Sequence, residues 1–207
     1  DINRIFYEKL KKKLHEVLVI TGGPHVSALP EQTLKEATEI DINVIGEGDE
    51  TIVDILDAVK GNRNLRDIAG IAYRENGKVV MTNPRLPIKD LSTLPMPAFH
   101  LFNYKLYRSY GWNNWVGGYR KPLGVIFSGR GCLGECNFCA AQTVFGHGIR
   151  YFTLQQIKDQ LDYLIDRCGI RILYFQDDTF TANRKLVNEI CDYIIEKGYH
   201  RRLEIMV

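Results

Sequence analysis

Residues 128–142 read Ser-Gly-Arg-Gly-Cys-Leu-Gly-Glu-Cys-Asn-Phe-Cys-Ala-Ala-Gln, and no other stretch constrains the chain as strongly. Cys132, Cys136 and Cys139 fall at the spacing Cys-x₃-Cys-x₂-Cys. A strand-like run, residues 123–128, leads into them, and Gly129, Gly131 and Gly134 let the backbone bend around a bulky group without a Cβ clash. Three thiolates on one short loop suit a soft metal centre. A four-iron cluster held by three cysteines keeps one iron without a protein ligand, open to a small molecule. The same residues also admit a zinc site completed by a histidine such as His147. A disulfide framework fits less well. Three close cysteines are an odd set, and 207 residues with 45% apolar content bury a core without covalent staples.

The loop resembles the signature of the radical S-adenosylmethionine (SAM) family, including the aromatic Phe138 just before the last cysteine. The resemblance implies that Cys132, Cys136 and Cys139 hold a [4Fe–4S] cluster and that SAM chelates the fourth iron. One-electron reduction then cleaves SAM to a 5′-deoxyadenosyl radical, which implies an external electron donor of the flavodoxin or ferredoxin type.

Composition excludes several classes. Charged residues are 25% and the formal net charge is +2, so nothing marks an electrostatic nucleic-acid binder or a disordered tail. No apolar run approaches the roughly 20 residues of a membrane span. The first residues form an amphipathic helical pattern rather than a signal peptide. Clustered thiols point to a reducing cytoplasm. The chain opens without Met and stops within a strand-like run, residues 203–207, and so reads as a piece of a longer protein.

Taken in order, residues 2–15 repeat apolar positions at helical spacing (Ile2, Ile5, Phe6, Leu10, Leu14), with Lys11–Lys13 as a solvated run near the C-terminal end. Residues 16–21 read as a buried strand followed by Gly22-Gly23-Pro24-His25. A helix over 30–39 has Pro at its first turn. Residues 41–45 form a second strand ended by Gly46-Glu47-Gly48, and Asp49 is the expected N-cap of a helix over 50–60. This alternation predicts parallel strands with helical crossovers, whose ligands bind beyond the strands' carboxyl ends, where both glycine turns sit. Glycine also simply ends strands, so the turns alone are weak signals.

Their order and spacing resemble the C-terminal half of the cobalamin-binding domain that precedes many radical SAM cores. The resemblance implies that Gly22 and Gly23 border the nucleotide tail of cobalamin, with Gly46, Glu47 and Gly48 on the same side. It does not make His25 a cobalt ligand, and His15 is expected at the surface.

Residues 68–81 predict a hairpin turning at Asn76-Gly77. Four prolines within 82–98 mark a linker. The aromatic segment 99–120 (Phe99, Phe102, Tyr104, Tyr107, Tyr110, Trp112, Trp115, Tyr119) is expected to pack rather than to bind. Beyond the cysteines, Thr153 and Gln156 form a capping box for a helix ending near Gly169. A strand over 170–175, a helix over 183–197 and a strand over 203–207 complete a β-α-β-α-β order, as in the first half of a parallel barrel. Gln176, Asp177 and Asp178 follow the middle strand. The expected plain role of the acid pair is to cap the next helix. Residues 175–180 also resemble the Phe-x-Asp-Asp-x-Phe segment of cobalamin-type radical SAM enzymes, which implies SAM contacts for Gln176, Asp177 or Asp178. Cys168 and Cys191 are expected to be packed structural thiols.

The fold read from these features is α/β: a partial Rossmann-like cobalamin-binding half-domain over 1–82, a linker and aromatic segment over 83–120, and the first half of a partial (β/α)₆ radical SAM barrel over 121–207. The function implied is methyl transfer or oxidative cyclisation of a small-molecule substrate, with a [4Fe–4S] cluster, SAM and cobalamin. The rivals are a radical SAM methylthiotransferase, opposed by the lack of any cysteine before Cys132, and a non-catalytic zinc or iron–sulfur module.

Overall fold

The structure, a computed structural model, describes residues 2–109 and 120–207. Tyr110, Trp112, Trp115 and Tyr119 of the aromatic segment lie outside the described residues. The chain divides into two compact units, Asp1–Ile88 with Gly134–His147, and Lys89–Leu133 with Gly148–Val207.

The first unit begins with helix α1 (Ile2–Lys13). Its lysine run is not wholly a solvated face. Lys11 donates to the carbonyl of Val17 at 2.8 Å and pairs with Asp41, which also accepts from the amide of Val19 at 2.7 Å. Strand β1 (Ile20–Thr21) is followed by helices α2 (Pro24–Ala28) and α3 (Pro30–Glu36), strand β2 (Ile42–Val44) and helix α4 (Asp49–Val59). Strands β3 (Ile71–Glu75) and β4 (Lys78–Met81) form the expected hairpin, and helix α5 (Ala141–Phe145) returns to lie against α2. The sheet order is β1-β2-β3-β4. The β1–β2 pair is parallel, with Ile20 opposite Ile42, while β3 and β4 extend the sheet antiparallel. The hairpin turns through positive φ at Asn76 (50°) and Gly77 (76°), the two residues that best tolerate it.

Successive residues of β3 serve opposite faces, as the period-two geometry of a strand requires. Ile71 and Tyr73 join Ile42, Val44, Ile55 and Ile68 in one buried cluster, and Ala72 joins Val19, Leu34 and Ile40 in the other. Helix α4 starts at Asp49 itself, with Gly48 in the capping position, so Asp49 and Glu50 lie in the first turn near the positive end of the helix dipole. Arg74 closes the far end of α3 by donating to the carbonyl of Leu34 (2.7 Å), an acceptor in the last turn, and to that of Thr38 (2.6 Å) just beyond the helix.

The second unit holds strands β5 (Arg108–Ser109) and β6 (Lys121–Ile126), the short strands β7 (Gly129–Arg130) and β8 (Arg150–Tyr151), helix α6 (Leu154–Asp162), strand β9 (Ile172–Phe175), helix α7 (Arg184–Glu196) and strand β10 (Glu204–Met206). The sheet order is β10-β9-β6-β5, with β6, β9 and β10 parallel and β5 antiparallel at the edge. The β-α-β-α-β order is therefore realised. Helix α6 opens with the capping box of Thr153 and Gln156 and passes into a π-helical turn, Tyr163–Arg167. Its buried stripe of Ile157, Leu161, Leu164 and Ile165 packs with Ile126, Leu173, Phe175, Ile190 and Ile194 into one core. Phe99 joins this core and stacks on Tyr163 at 6.1 Å, whereas Phe102 and Tyr107 remain exposed. Cys168 packs against the core, but Cys191, expected to be packed, is exposed on α7, because the buried stripe of that helix runs through Leu186, Ile190, Tyr193 and Ile194.

Candidate functional site: the cysteine loop and the strand-end turns

The cysteine loop leaves the carboxyl end of β6 through a narrow neck. Strands β7 and β8 pair antiparallel there, Gly129 opposite Tyr151 and Arg130 opposite Arg150. The amide of Phe152 donates to the carbonyl of Ser128 at 3.0 Å, and that of Gly148 to the carbonyl of Cys132 at 3.3 Å. A Cβ at position 129 would stand 2.8 Å from the carbonyl oxygen of Arg150 and 2.9 Å from the Tyr151 ring, so only glycine allows the neck to close this tightly. The guanidinium of Arg130 lies 5.8 Å from the centre of the Phe152 ring.

Asp177, just past the end of β9, holds the neck from the side. The Ser128 amide lies 3.0 Å from each carboxylate oxygen, while Oδ1 also accepts from the Ser128 hydroxyl at 2.6 Å and the Gly129 amide at 2.7 Å. Ser128 is only 1% exposed, so its donors have no water to turn to. Asp177 thus caps no helix; Asn183 caps α7 by accepting from the amide of Leu186 at 3.1 Å. Asp178 turns towards the amide of Gly131. Partial desolvation raises the Asp178 pKa, the Gly131 hydrogen bond lowers it, and the charge of Asp177 raises it further. Gln176 is exposed. Thr179 places its hydroxyl 3.3 Å from the sulfur of Cys132.

Cys132 belongs to the second unit, and Cys136 and Cys139 to the first. Cys136 and Cys139 are exposed, and none of the five cysteines is in a disulfide. The carbonyl of Cys136 accepts from the amide of Cys139 at 3.0 Å, and the sulfur of Cys139 accepts from the amide of Ala141 at 3.4 Å. Gln142 donates to the carbonyl of Gly134 at 2.7 Å and contacts Nδ1 of His147 at 3.2 Å. Phe138 is 91% exposed. Among the described residues no group of three or more His, Cys, Asp or Glu side chains is gathered to hold a metal ion. Each of Cys132, Cys136 and Cys139 is a thiol outside any disulfide, the donor type that an iron–sulfur cluster takes, and the sulfur of Cys139 already accepts a backbone N–H.

In the first unit both glycine turns lie at the carboxyl ends of the parallel pair β1–β2. A Cβ at Gly22 or at Gly48 would stand 3.6 Å from Val44, an ordinary contact, so space does not demand glycine at either position. Gly23 (φ 96°) and Gly46 (φ 80°) are required by the backbone itself. The Gly46 amide donates to the hydroxyl of Ser27 at 3.0 Å. Glu47 is buried and accepts from the amide of Ile88 at 2.8 Å, a supporting bond for the turn. Asn43, fully buried, donates to the carbonyl of Pro30 at 2.8 Å and accepts from the hydroxyl of Thr21. Sequence reasoning gives Ser27, Asn43 and Ser128 no role, although Ser128 opens the cysteine stretch, because each is a common polar residue. Their only signal was a hydroxyl or amide beside a glycine turn or within an apolar strand. At Gly23 a Cβ would meet nothing within 4 Å, so the positive φ and not crowding calls for glycine there.

No protein-family model matches the chain. An uncharacterized methyltransferase of Pyrococcus horikoshii is 36% identical over 191 residues, covering 92% of this chain and 40% of that protein. The anaerobic magnesium-protoporphyrin IX monomethyl ester cyclase of Cereibacter sphaeroides is 28% identical over 188 residues, 87% of this chain and 29% of that protein. The radical SAM methyltransferase TsrM of Kitasatospora setae, solved with cobalamin and a [4Fe–4S] cluster bound, superposes with a TM-score of 0.69 at 18% identity, over 98% of this chain and 39% of that one. Over most of its length the chain is thus similar in sequence to a methyltransferase and to the anaerobic cyclase. Its mixed α/β fold with a parallel sheet is similar to that of the cobalamin-binding radical SAM enzymes TsrM and OxsB. The chain spans 40% of the length of the first relative and 29% of the second. Among the described residues no helix is long and apolar enough to cross a membrane.

Proposed function

We propose that the chain forms the cofactor-binding part of a cobalamin-dependent radical SAM enzyme that carries out methyl transfer or oxidative cyclisation on a small-molecule substrate. The observation that carries this reading is the cysteine loop: three thiols outside any disulfide, leaving the carboxyl end of a parallel strand through a neck fixed by a neighbouring carboxylate. When bound, a [4Fe–4S] cluster supplies an open iron for SAM and the single electron that cleaves it. Cys132, Cys136 and Cys139 are its ligands in this reading. Asp177 orients the start of the loop. Asp178 and Gln176 are exposed just past β9, where a carboxylate and an amide can accept hydrogen bonds from the ammonium group of SAM. Phe138 offers an exposed aromatic face beside the last thiol.

Residues 1–82 are assigned to the C-terminal part of a cobalamin-binding domain, with Gly22, Gly23, Gly46, Glu47 and Gly48 bordering the nucleotide tail. Residues 83–120 are a linker and 121–207 the first half of the barrel. The protein works in a reducing cytoplasm with a flavodoxin- or ferredoxin-type electron donor. Anaerobic reconstitution with iron and sulfide tests this reading. The expected result is a four-iron EPR spectrum that changes when SAM is added. Stoichiometric zinc, or a cluster indifferent to SAM, would overturn it.

A further inference from the structure

A cluster thiolate's immediate neighbours set how readily its iron accepts an electron. Three facts single out Thr179. It stands in the capping position of a short 3₁₀ turn, Phe180–Ala182, where threonine usually turns its hydroxyl back onto the turn's own amides. Here the side chain makes no capping bond. Its hydroxyl points instead at the sulfur of Cys132, 3.3 Å away. The contact lies at the surface, but the backbone on both sides of it is held. Cys132 follows the neck and accepts from the amide of Gly148 through its carbonyl. Thr179 follows Asp177, whose carboxylate is fastened to Ser128 and Gly129 at that same neck.

We infer that Thr179 tunes the iron–sulfur cluster by donating its hydroxyl proton to the thiolate of Cys132, a role that rests on the cluster reading above. A metal-bound cysteine carries no proton, so the direction of the bond is fixed: oxygen donates and sulfur accepts. A donor on the sulfur favours the more negatively charged state and so raises the reduction potential. Thr179 acts through Cys132 and is a positioning residue, not a catalytic one.

The test is potentiometry of the reconstituted protein, followed by EPR, for wild type, Thr179→Val and Thr179→Ser. Valine keeps the branched shape and removes the donor; serine keeps the donor. Thr179→Val is expected to assemble the same iron and sulfide per chain, with a reduced-to-oxidised ratio about threefold to tenfold lower at a fixed poise. Thr179→Ser is expected to restore the wild-type ratio. If valine disturbs the loop and iron is lost, Thr179→Ala serves as the second donor-free variant and must show the same lowered ratio. Equal ratios in wild type and a fully loaded donor-free variant would overturn the inference while leaving the cluster reading intact. Failure of wild type itself to assemble a cluster would overturn that reading, and this one with it.

Discussion

The neck and the tip of the cysteine loop are built by opposite means. At the neck, a carboxylate, a buried serine and a two-residue β-ribbon fix the backbone with several short hydrogen bonds, and a glycine is required because no Cβ fits. At the tip, Cys136, Phe138 and Cys139 are exposed, and the hydrogen bonds include the turn from the Cys139 amide to the Cys136 carbonyl, the Ala141 amide to the Cys139 sulfur, and the side chain of Gln142 to the carbonyl of Gly134. At the neck the amides of Ser128 and Gly129 and the Ser128 hydroxyl all find the Asp177 carboxylate. Among the described residues, no group of three or more His, Cys, Asp or Glu side chains gathers the tip's thiols into a metal site. The difference teaches a division of labour: hydrogen bonds fix the backbone where the loop starts and ends, and under the proposed function it is metal binding that sets the arrangement of the sulfurs, as when metal binding completes folding.

The largest expected effect separates the tip from the rest of the chain. Cys136→Ala and Cys139→Ala should each abolish the four-iron signal after reconstitution, whereas Cys168→Ala and Cys191→Ala should keep it. Thermal melting of the metal-free protein should change little in the two tip variants, because an exposed side chain contributes little to packing. Retention of full iron by Cys136→Ala would end the three-cysteine assignment. At the neck the order of effects reverses. Asp177→Ala strips the acceptor from the buried donors of Ser128 and Gly129, and should destabilise the metal-free second unit by about 2–3 kcal/mol in urea titration. A shift below about 0.5 kcal/mol would mean that the neck stands without its carboxylate.

Sequence legibility followed the same line. The loop, its three thiols and the strand before it were readable because spacing and composition are local properties. The capping box at Thr153 and the Asn76-Gly77 turn were readable for the same reason, since each is a contact between residues a few positions apart. Asp177 stands out in the sequence as half of an acid pair, but its link to Ser128 spans 49 positions and no periodicity encodes it. Lys11 reads as part of a solvated lysine run, yet it finds Asp41 across 30 positions. Strand β1 is the shortest of its sheet, with Ile20 and Thr21 alone in the ladder, although the apolar run begins earlier. A strand's length depends on its partner's length, which hydrophobicity does not report.

A smaller effect checks whether iron retention merely follows stability. Thr153→Ala removes one member of the capping box of α6, whose hydroxyl accepts from the Gln156 amide at 3.2 Å. The loss should be about 1 kcal/mol in urea titration. It should leave the cluster content per folded chain unchanged, because the cap holds α6 and not the neck. If this variant loses iron as Asp177→Ala does, the neck has no special claim.

The smallest effect comes from Asp162, a carboxylate that also takes several hydrogen bonds but has no part in the loop. Burial pushes its pKa up, yet the hydroxyls of Tyr193 and Tyr199 and the ammonium of Lys197 outweigh that and hold it below the ordinary 3.8. A carboxyl depressed by folding stabilises the folded state above its unfolded pKa, and that contribution is lost as pH falls through the folded value. Urea midpoints of wild type and Asp162→Asn should therefore differ by a constant amount near neutrality and converge only as the pH drops below about 3.8. The difference should be modest, since the Lys197 pair is partly exposed and screened by solvent. A gap that persists unchanged at the lowest pH would show that the amide, not the lost charge, causes it. Iron content should stay at the wild-type level throughout the neutral range, so the two carboxylates, each serving several donors, separate a bond that holds a fold from one that holds a neck.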